Sequence, residues 1–300
     1  MRPEIAVPAV LDIVPAADAS PDRPDARVAT DGRLAEIWLH GRSVHTQRAY
    51  LADVDRFRAF LNKPLASVTL GDLQAFANSL QDLAPASRYR ALSAVKSLLA
   101  FGHRTGYLQF DAGRLLRLPV VRNGLSQRIL PEAEVHRLLA LESNRRNRAI
   151  LMLLYASGVR VSELCGLCWR DLQLNGDTGQ ITVFGKGGAT RSIQLPASVW
   201  NLLFQLRGEA LAGDPVFRSK KGGALKPLAV LRIVRKAAVR AGLELKVSPH
   251  WLRHAHASHA LDRGAPIHLV QTTLGHASIN TTGRYLHARP KDSSGRFLGL

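Results

Sequence analysis

In Gln180-Ile-Thr-Val-Phe-Gly-Lys-Gly-Gly-Ala-Thr-Arg-Ser-Ile-Gln-Leu195 the spacing of apolar side chains changes from that of a helix to that of a strand. Ile181 and Val183, and then Ile193 and Leu195, recur at every second position, which is the period of a half-buried strand. The pattern predicts strands over Gln180–Gly185 and Arg191–Leu195, joined by the glycine-rich turn Lys186-Gly-Gly-Ala-Thr190, with Lys186 near the tip. On both sides the period is helical. Upstream, Pro131-Glu-Ala-Glu134 starts a helix, with proline in the first turn and acids at the positive end of the dipole, and Arg145 to Ala156 forms a buried helix that Gly158 ends. Downstream, helices are predicted at Ala197–Leu206, Pro227–Ala241, Ser248–Arg263, Pro266–Leu274 and about Ser278–His287. Residues 130–292 therefore read as an α+β domain that is mainly α with one small β-hairpin.

Further out, residues 119–129 interrupt all periodicity with Pro119, Asn123, Gly124 and Ser126 and form a linker carrying Arg122 and Arg128. Residues 35–118 are helical throughout. One helix opens at Ser43 and turns Val54, Phe57, Phe60 and Leu61 inward, another begins at Thr69, and a third runs from Ala86 through Gly102. Residues 1–34, rich in Ala, Pro and Asp, read as a mobile tail with real structure starting near Leu34. Residues 293–300 form a short carboxy-terminal tail that is apolar at its end.

Lys and Arg number 41 against 23 Asp and Glu. The first 34 residues hold four Arg against six acids, so the positive surplus lies entirely beyond them. A field of this sign attracts polyanions: DNA or RNA first, an anionic membrane surface second. Two cysteines, Cys165 and Cys168, exclude a disulfide scaffold and are too few for a zinc site, so they read as small buried hydrophobes. The longest apolar run, Ala149 to Ala156, is too short to span a bilayer and no signal-peptide pattern heads the chain, so a cytoplasmic location is expected. With no Walker loop or Gly-x-Gly-x-x-Gly, ATP-driven chemistry is not expected, and neither is a cofactor or a metal.

The chemistry concentrates in Val247-Ser-Pro-His-Trp-Leu-Arg-His-Ala-His256. Ser248 as N-cap and Pro249 at the first helical position would place His250 and Arg253 on one face of a helix start, beside unpaired N–H groups that suit a phosphate. His250 and His254 are four apart, but Trp251 stands where a zinc protease would need Glu, so His254 and His259 read as core or hydrogen-bonding histidines. Arg160 follows the turn at Gly158, and Glu163 three residues on can fix its fork; taken singly the pair reads as a surface salt bridge. Lys186 alone reads as a solvated turn lysine. His276 projects from the corner that Gly275 makes. Tyr285 alone would be an ordinary core tyrosine. Together with a guanidinium and two imidazoles on neighbouring elements, it becomes a nucleophile that could store a phosphodiester's energy in a covalent ester without ATP or metal.

Four stretches carry a resemblance: Tyr155-Ala-Ser-Gly-Val-Arg-Val-Ser-Glu-Leu164, Phe184-Gly-Lys-Gly187, Ser248-Pro-His-Trp-Leu-Arg-His254 and Leu274-Gly-His-Ala-Ser-Ile-Asn-Thr-Thr-Gly-Arg-Tyr285. In order and separation they resemble the tyrosine recombinase and integrase family, particularly its Xer-like bacterial branch. The amino-terminal helical module resembles that family's SAM-like core-binding domain through Thr46-Gln-Arg-Ala-Tyr50. The resemblance implies that Arg160 and Arg253 clamp the scissile phosphate, that His250 and His276 donate hydrogen bonds and help handle protons, and that Lys186 protonates the departing 5′-oxygen. Tyr285 would form a 3′-phosphotyrosyl link, with Glu163 supporting the site. It also implies a double-stranded DNA substrate, strand exchange through a Holliday junction, and a tetramer on two DNA sites, alone or with a second recombinase. Residues 293–300 would make a contact between protomers. Around Tyr285 the sequence is closer to integrases of mobile elements than to chromosome-dimer resolvases. A type IB topoisomerase and a non-catalytic DNA-binding regulator are the rival functions.

Overall fold

The computed structural model describes residues 24–120, 124–176, 178–185 and 188–286. Lys186, His287, Arg122 and residues 293–300 lie outside them, as do the first 23 residues. The chain divides into two compact units, with the division between Arg122 and Asn123.

The first unit is helical: α1 (Pro24–Leu39), α2 (Val44–Leu61), α3 (Leu70–Ser79) and α4 (Pro85–Arg104). Its core gathers Leu34, Trp38, Val54, Phe57, Leu73, Phe76 and the inner face of α4 from Ala91 to Leu99. Local chemistry sets the ends. Ser43 accepts from the Thr46 N–H, and Thr69 and Asp72 form a reciprocal capping box at the start of α3. Two expectations need correction. Regular structure starts at Pro24, before Leu34, because Asp31 is tied down: its carboxylate accepts from the Leu65 N–H at 2.9 Å and from the Tyr107 hydroxyl at 2.6 Å. Phe60, expected to face inward, is 43% exposed and reaches the core through its edge against Phe76.

The second unit contains α5 (Glu132–Ala140), α6 (Arg145–Ser157), α7 (Val161–Gly166), β1 (Leu172–Asn175), β2 (Thr178–Phe184), β3 (Thr190–Leu195), α8 (Ala197–Arg207), α9 (Pro227–Arg240), α10 (Pro249–Asp262), α11 (Ile267–Leu274) and α12 (Ile279–Leu286). The fold is mainly α with one small antiparallel sheet of order β1-β2-β3. Ile181 pairs with Ile193 and Val183 with Arg191, which turns the apolar alternation toward α6 and α8. The sheet has one strand more than the expected hairpin. β1 has no buried alternation of its own and is ordered by its ladder with β2. Two capping details also differ: Pro131 precedes α5 as its N-cap, and Ser248 caps α10 without a side-chain hydrogen bond.

Two glycines stop helices beside one another. Gly158 ends α6 and Gly275 ends α11, both in the left-handed region at φ 59° and 63°. A Cβ on Gly158 would also meet Leu274 and His256 side chains at 2.6 and 2.8 Å, so the two helix ends lie close together.

Candidate active site

The carboxy-terminal ends of α6 and α11 expose backbone carbonyls with no partner inside their helices, and carbonyls in that position attract cations. Arg253, one turn into α10 and 5% exposed, donates one Nη to the Gly158 carbonyl and the other to the Leu274 carbonyl at 2.6 Å. Arg160, at the N-cap of α7 just beyond Gly158, donates to the Gly275 carbonyl at 3.2 Å. Glu163 secures it twice over, accepting from the Arg160 backbone N–H at 2.7 Å and from its Nη1 at 2.9 Å. The pair is therefore not the surface salt bridge that Arg160 suggests in isolation, since the Glu163 side chain is 3% exposed.

Glu163 holds a second arginine that sequence reasoning missed. Arg191 on β3 donates both Nη groups to the same carboxylate at 3.0 and 2.8 Å, and its Nε to the Thr273 carbonyl at 2.7 Å. The signal was present. Arg191 shares the face of Ile193 and Leu195, so a strand with that inner face must bury a charge and supply it with a partner. Burial pushes the Glu163 carboxyl up, but the hydrogen bonds from Arg191 and Arg160 outweigh it and hold it at about 2. Burial first, and then Arg160, push Arg253 down to about 10, which leaves it charged at neutral pH.

The histidines stand around this pair. His250 lies one turn before Arg253 and is exposed at the surface; crowding by surrounding atoms lowers its pKa first, and Arg253 and Arg160 lower it further. His276 follows the Gly275 corner. Its Nδ1 is hydrogen-bonded to the Thr282 hydroxyl at 2.8 Å, and burial, then Arg253, Arg160 and Arg191, bring it to about 4. Thr282 is wholly buried, a second residue the sequence did not single out.

Tyr285 lies one turn after Thr282 on α12. It is 6% exposed, packed in a small cluster with Leu125, Ile129, Ala257, Val270 and Leu274. Its ring is parallel to that of His276 at 6.5 Å, and its hydroxyl is hydrogen-bonded to His254 Nδ1 at 2.8 Å. Burial raises the phenol's pKa, with Arg253 and Arg284 opposing. His254 is thus the hydrogen-bonding histidine its spacing suggested, although its partner was not foreseen. His259 plays a parallel part, meeting the Tyr155 hydroxyl at 3.0 Å.

Arg160, Glu163, His250, Arg253, His276 and Tyr285 therefore come together from α7, α10, α12 and the corner after α11. Lys186 lies outside the described residues; Gly185 and Ala189, which flank it in sequence on either side, line an open cleft of about 830 Å³ bounded by Arg160, Arg191, His276 and Thr281. Among the described residues, no group of three or more His, Cys, Asp or Glu could hold a metal, and no helix is long and apolar enough to cross a membrane. Cys165 and Cys168 are half-buried free thiols, with burial pushing Cys165 up to about 11.

A helical unit followed by a helical unit built on a three-stranded sheet, with arginines, histidines and a tyrosine converging at its helix ends, defines the class of DNA strand-exchange enzymes. Comparison with known proteins agrees. Residues 128–292 match the model of the phage integrase family, and residues 34–106 match the phage integrase N-terminal SAM-like domain. The tyrosine recombinase XerC of Myxococcus xanthus is 35% identical over 82% of this chain and 87% of its own length. Among solved structures, the XerH site-specific recombinase bound to its difH substrate in a pre-cleavage complex matches with TM-score 0.69 at 22% identity, over 89% of this chain and 82% of its own. A lambda integrase tetramer bound to a Holliday junction matches with TM-score 0.71 at 21% identity, over 89% and 79%. The chain belongs to the phage integrase family and is a tyrosine-type site-specific recombinase, which cleaves and rejoins DNA through a phosphotyrosyl intermediate.

Proposed function

We propose that Tyr285 is the nucleophile of this recombinase and that Arg160, Arg253, His250 and His276 bind the scissile phosphate. The observation that carries this assignment is the convergence of these five side chains, from segments about 125 residues apart in sequence, on the facing ends of α6 and α11. Arg253 spends one N–H of each Nη on a carbonyl, and its fork keeps further donors for phosphate oxygens. Oη of Tyr285 would attack phosphorus while the bond to the deoxyribose 5′-oxygen breaks, leaving a 3′-phosphotyrosyl link. Lys186 would give the departing oxygen its proton. The guanidinium groups stabilise charge that grows on the equatorial oxygens in the transition state. Rejoining reverses these steps with the 5′-hydroxyl of a partner duplex, and the bond energy kept in the ester makes ATP unnecessary.

The substrate in this proposal is double-stranded DNA in the bacterial cytoplasm, and the acting form is a tetramer on two sites that exchanges strands through a Holliday junction. The likeness in fold to lambda integrase, seen as a tetramer on such a junction, supports that assembly. The kinship with XerC supports an Xer-type reaction. Covalent capture on flanking genomic DNA, followed by a nicked suicide duplex carrying the mapped sequence, tests the assignment. The native protein should leave a denaturant-resistant protein–DNA adduct. Tyr285→Phe should shift the same duplex in a gel and leave no adduct; an adduct with Tyr285→Phe would overturn the nucleophile. Relaxation of plasmids lacking the mapped sequence, with no recombinants, would point to a topoisomerase.

A further inference from the structure

We propose that His254 is a further catalytic residue, receiving the phenolic proton of Tyr285 at Nδ1 as Oη attacks phosphorus and returning it when the strand is rejoined. This rests on Tyr285 being the nucleophile.

The placement is specific. His254 follows Arg253 directly on α10 and stands one turn beyond His250, with ring centroids 6.4 Å apart. Its Nδ1 is 2.8 Å from the Tyr285 hydroxyl, with the two rings 5.7 Å apart. A phenol enclosed among Leu125, Ile129, Val270 and Leu274 needs a polar partner, and His254 supplies it. His276, the other histidine beside the ring, has its Nδ1 engaged with Thr282. His254 is thus the imidazole in contact with the reacting atom, within the reach that proton transfer requires.

Its electrostatic setting keeps the ring neutral in the free protein and opposes an imidazolium until negative charge arrives. Burial first, then His250, Arg128, Arg253 and Arg284, bring His254 to about 4. Those groups come from α10 itself, from the turn before α5 and from α12, so positive charge faces the ring on three sides. At neutral pH the ring carries no charge, and with the proton on Nε2 its Nδ1 accepts from the phenol. Burial raises Tyr285, so no phenolate forms unaided and the proton must have a destination. A phosphate held by Arg160 and Arg253 brings negative charge beside the guanidinium that depresses His254, which makes the ring a stronger base when substrate is bound. The balance closes without another reactant. The Oη–P bond forms, the P–O5′ bond breaks, O5′ takes a proton from the acid on its own side, and the phenolic proton becomes the Nδ1–H of an imidazolium. On rejoining, that imidazolium protonates the leaving phenolate.

The test uses the full chain at saturating concentration on the nicked suicide duplex, made once with an ordinary 5′-oxygen at the scissile bond and once with a bridging 5′-sulfur, which departs without needing a proton. His254→Asn keeps a polar atom near the position of Nδ1 but cannot take up a proton. It should bind the duplex like the native protein and form adduct about 100-fold more slowly, the usual scale for a lost general base, with either leaving group. The native rate should rise with pH through the ionisation of His254 in the complex, and that limb should vanish in the variant. Free imidazole should restore His254→Ala by tenfold or more. A His254→Asn rate within threefold of native, or one restored by the sulfur leaving group, would overturn the proposal. Ring-nitrogen NMR of the unaltered protein at pH 7 decides independently of how the variants fold: Nδ1 of His254 should carry no proton, and a protonated Nδ1 defeats the assignment. Failure of the native protein to form a Tyr285 adduct would strike the nucleophile assignment instead.

Discussion

The two sides of the site are built differently. Arg160, Arg253 and Arg191 are fastened to carbonyls at the ends of α6 and α11 and to the enclosed carboxylate of Glu163; α6, α7, α10 and β3 line the large core of the second unit, while α11 packs in the smaller cluster. Tyr285 rides on an eight-residue helix, packed in a cluster of six buried residues separate from that core, with two histidine contacts holding α12. If Arg160 and Arg253 bind the scissile phosphate as proposed, that grip is present before DNA arrives, which spares reorganisation at the moment of reaction. The proposed nucleophile, Tyr285, rests on an element that buries much less.

The largest effect on cleavage should come from breaking the firm side. Arg253→Ala leaves the Gly158 and Leu274 carbonyls without their partner and, on the proposed assignment, removes donors to the phosphate. Adduct formation should fall by about 10²–10³, the scale of one strong oxyanion donor. Arg253→Lys should recover little, because an ammonium cannot bridge two carbonyls and a phosphate in one plane. Single-turnover cleavage measures both. If Arg253→Lys cleaved at the native rate, the rigid fork would count for nothing.

Glu163→Gln comes next and acts on stability as well as rate. Removing the charge leaves Arg160 and Arg191 facing a neutral amide, and breaking a buried pair from one side costs about 3–5 kcal/mol. The Glu163 carboxyl is held at about 2, below the ordinary 4.5, so its contribution is complete above the ordinary value and is lost as pH falls from there toward 2. Denaturant unfolding from pH 6 down to 2 should show that decline in the native protein. In Glu163→Gln it should be correspondingly shallower, and an unchanged slope would mean that the carboxylate does not anchor the two arginines.

How much of this could be read from sequence tracks the same division. Residues whose role is fixed by their own helix or turn were legible. Gly158 and Gly275 as helix stops, Pro249 at the first position of α10, and the period change at Gln180–Leu195 all appear in the structure within a few residues. Glu163 as the holder of Arg160 was legible too, being three residues away on the same short helix. Partnerships across elements were not. Arg191 finds Glu163 from 28 positions away, and Tyr285 finds His254 from 31. Neither spacing follows from a local period. β1 escaped because three of its four residues are exposed, and α1 began early because Asp31 binds groups 34 and 76 residues distant.

The smallest effect tests the tyrosine side directly. Thr282→Val is nearly isosteric and keeps the buried methyl, but it removes the hydroxyl that meets His276 Nδ1. Loss of one neutral hydrogen bond should cost about 1 kcal/mol, roughly a fivefold change in an opening equilibrium. Where that cost is felt is the informative part. If α12 opens separately, its amides over Ile279–Leu286 should exchange with solvent faster than those of α6 in the native protein. In Thr282→Val they should then exchange about fivefold faster still, while α6 stays unchanged. Should both helices exchange together, at a rate set by global unfolding, Tyr285 would be as firmly held as Arg160 and Arg253, and the contrast between the two sides would lie in packing alone.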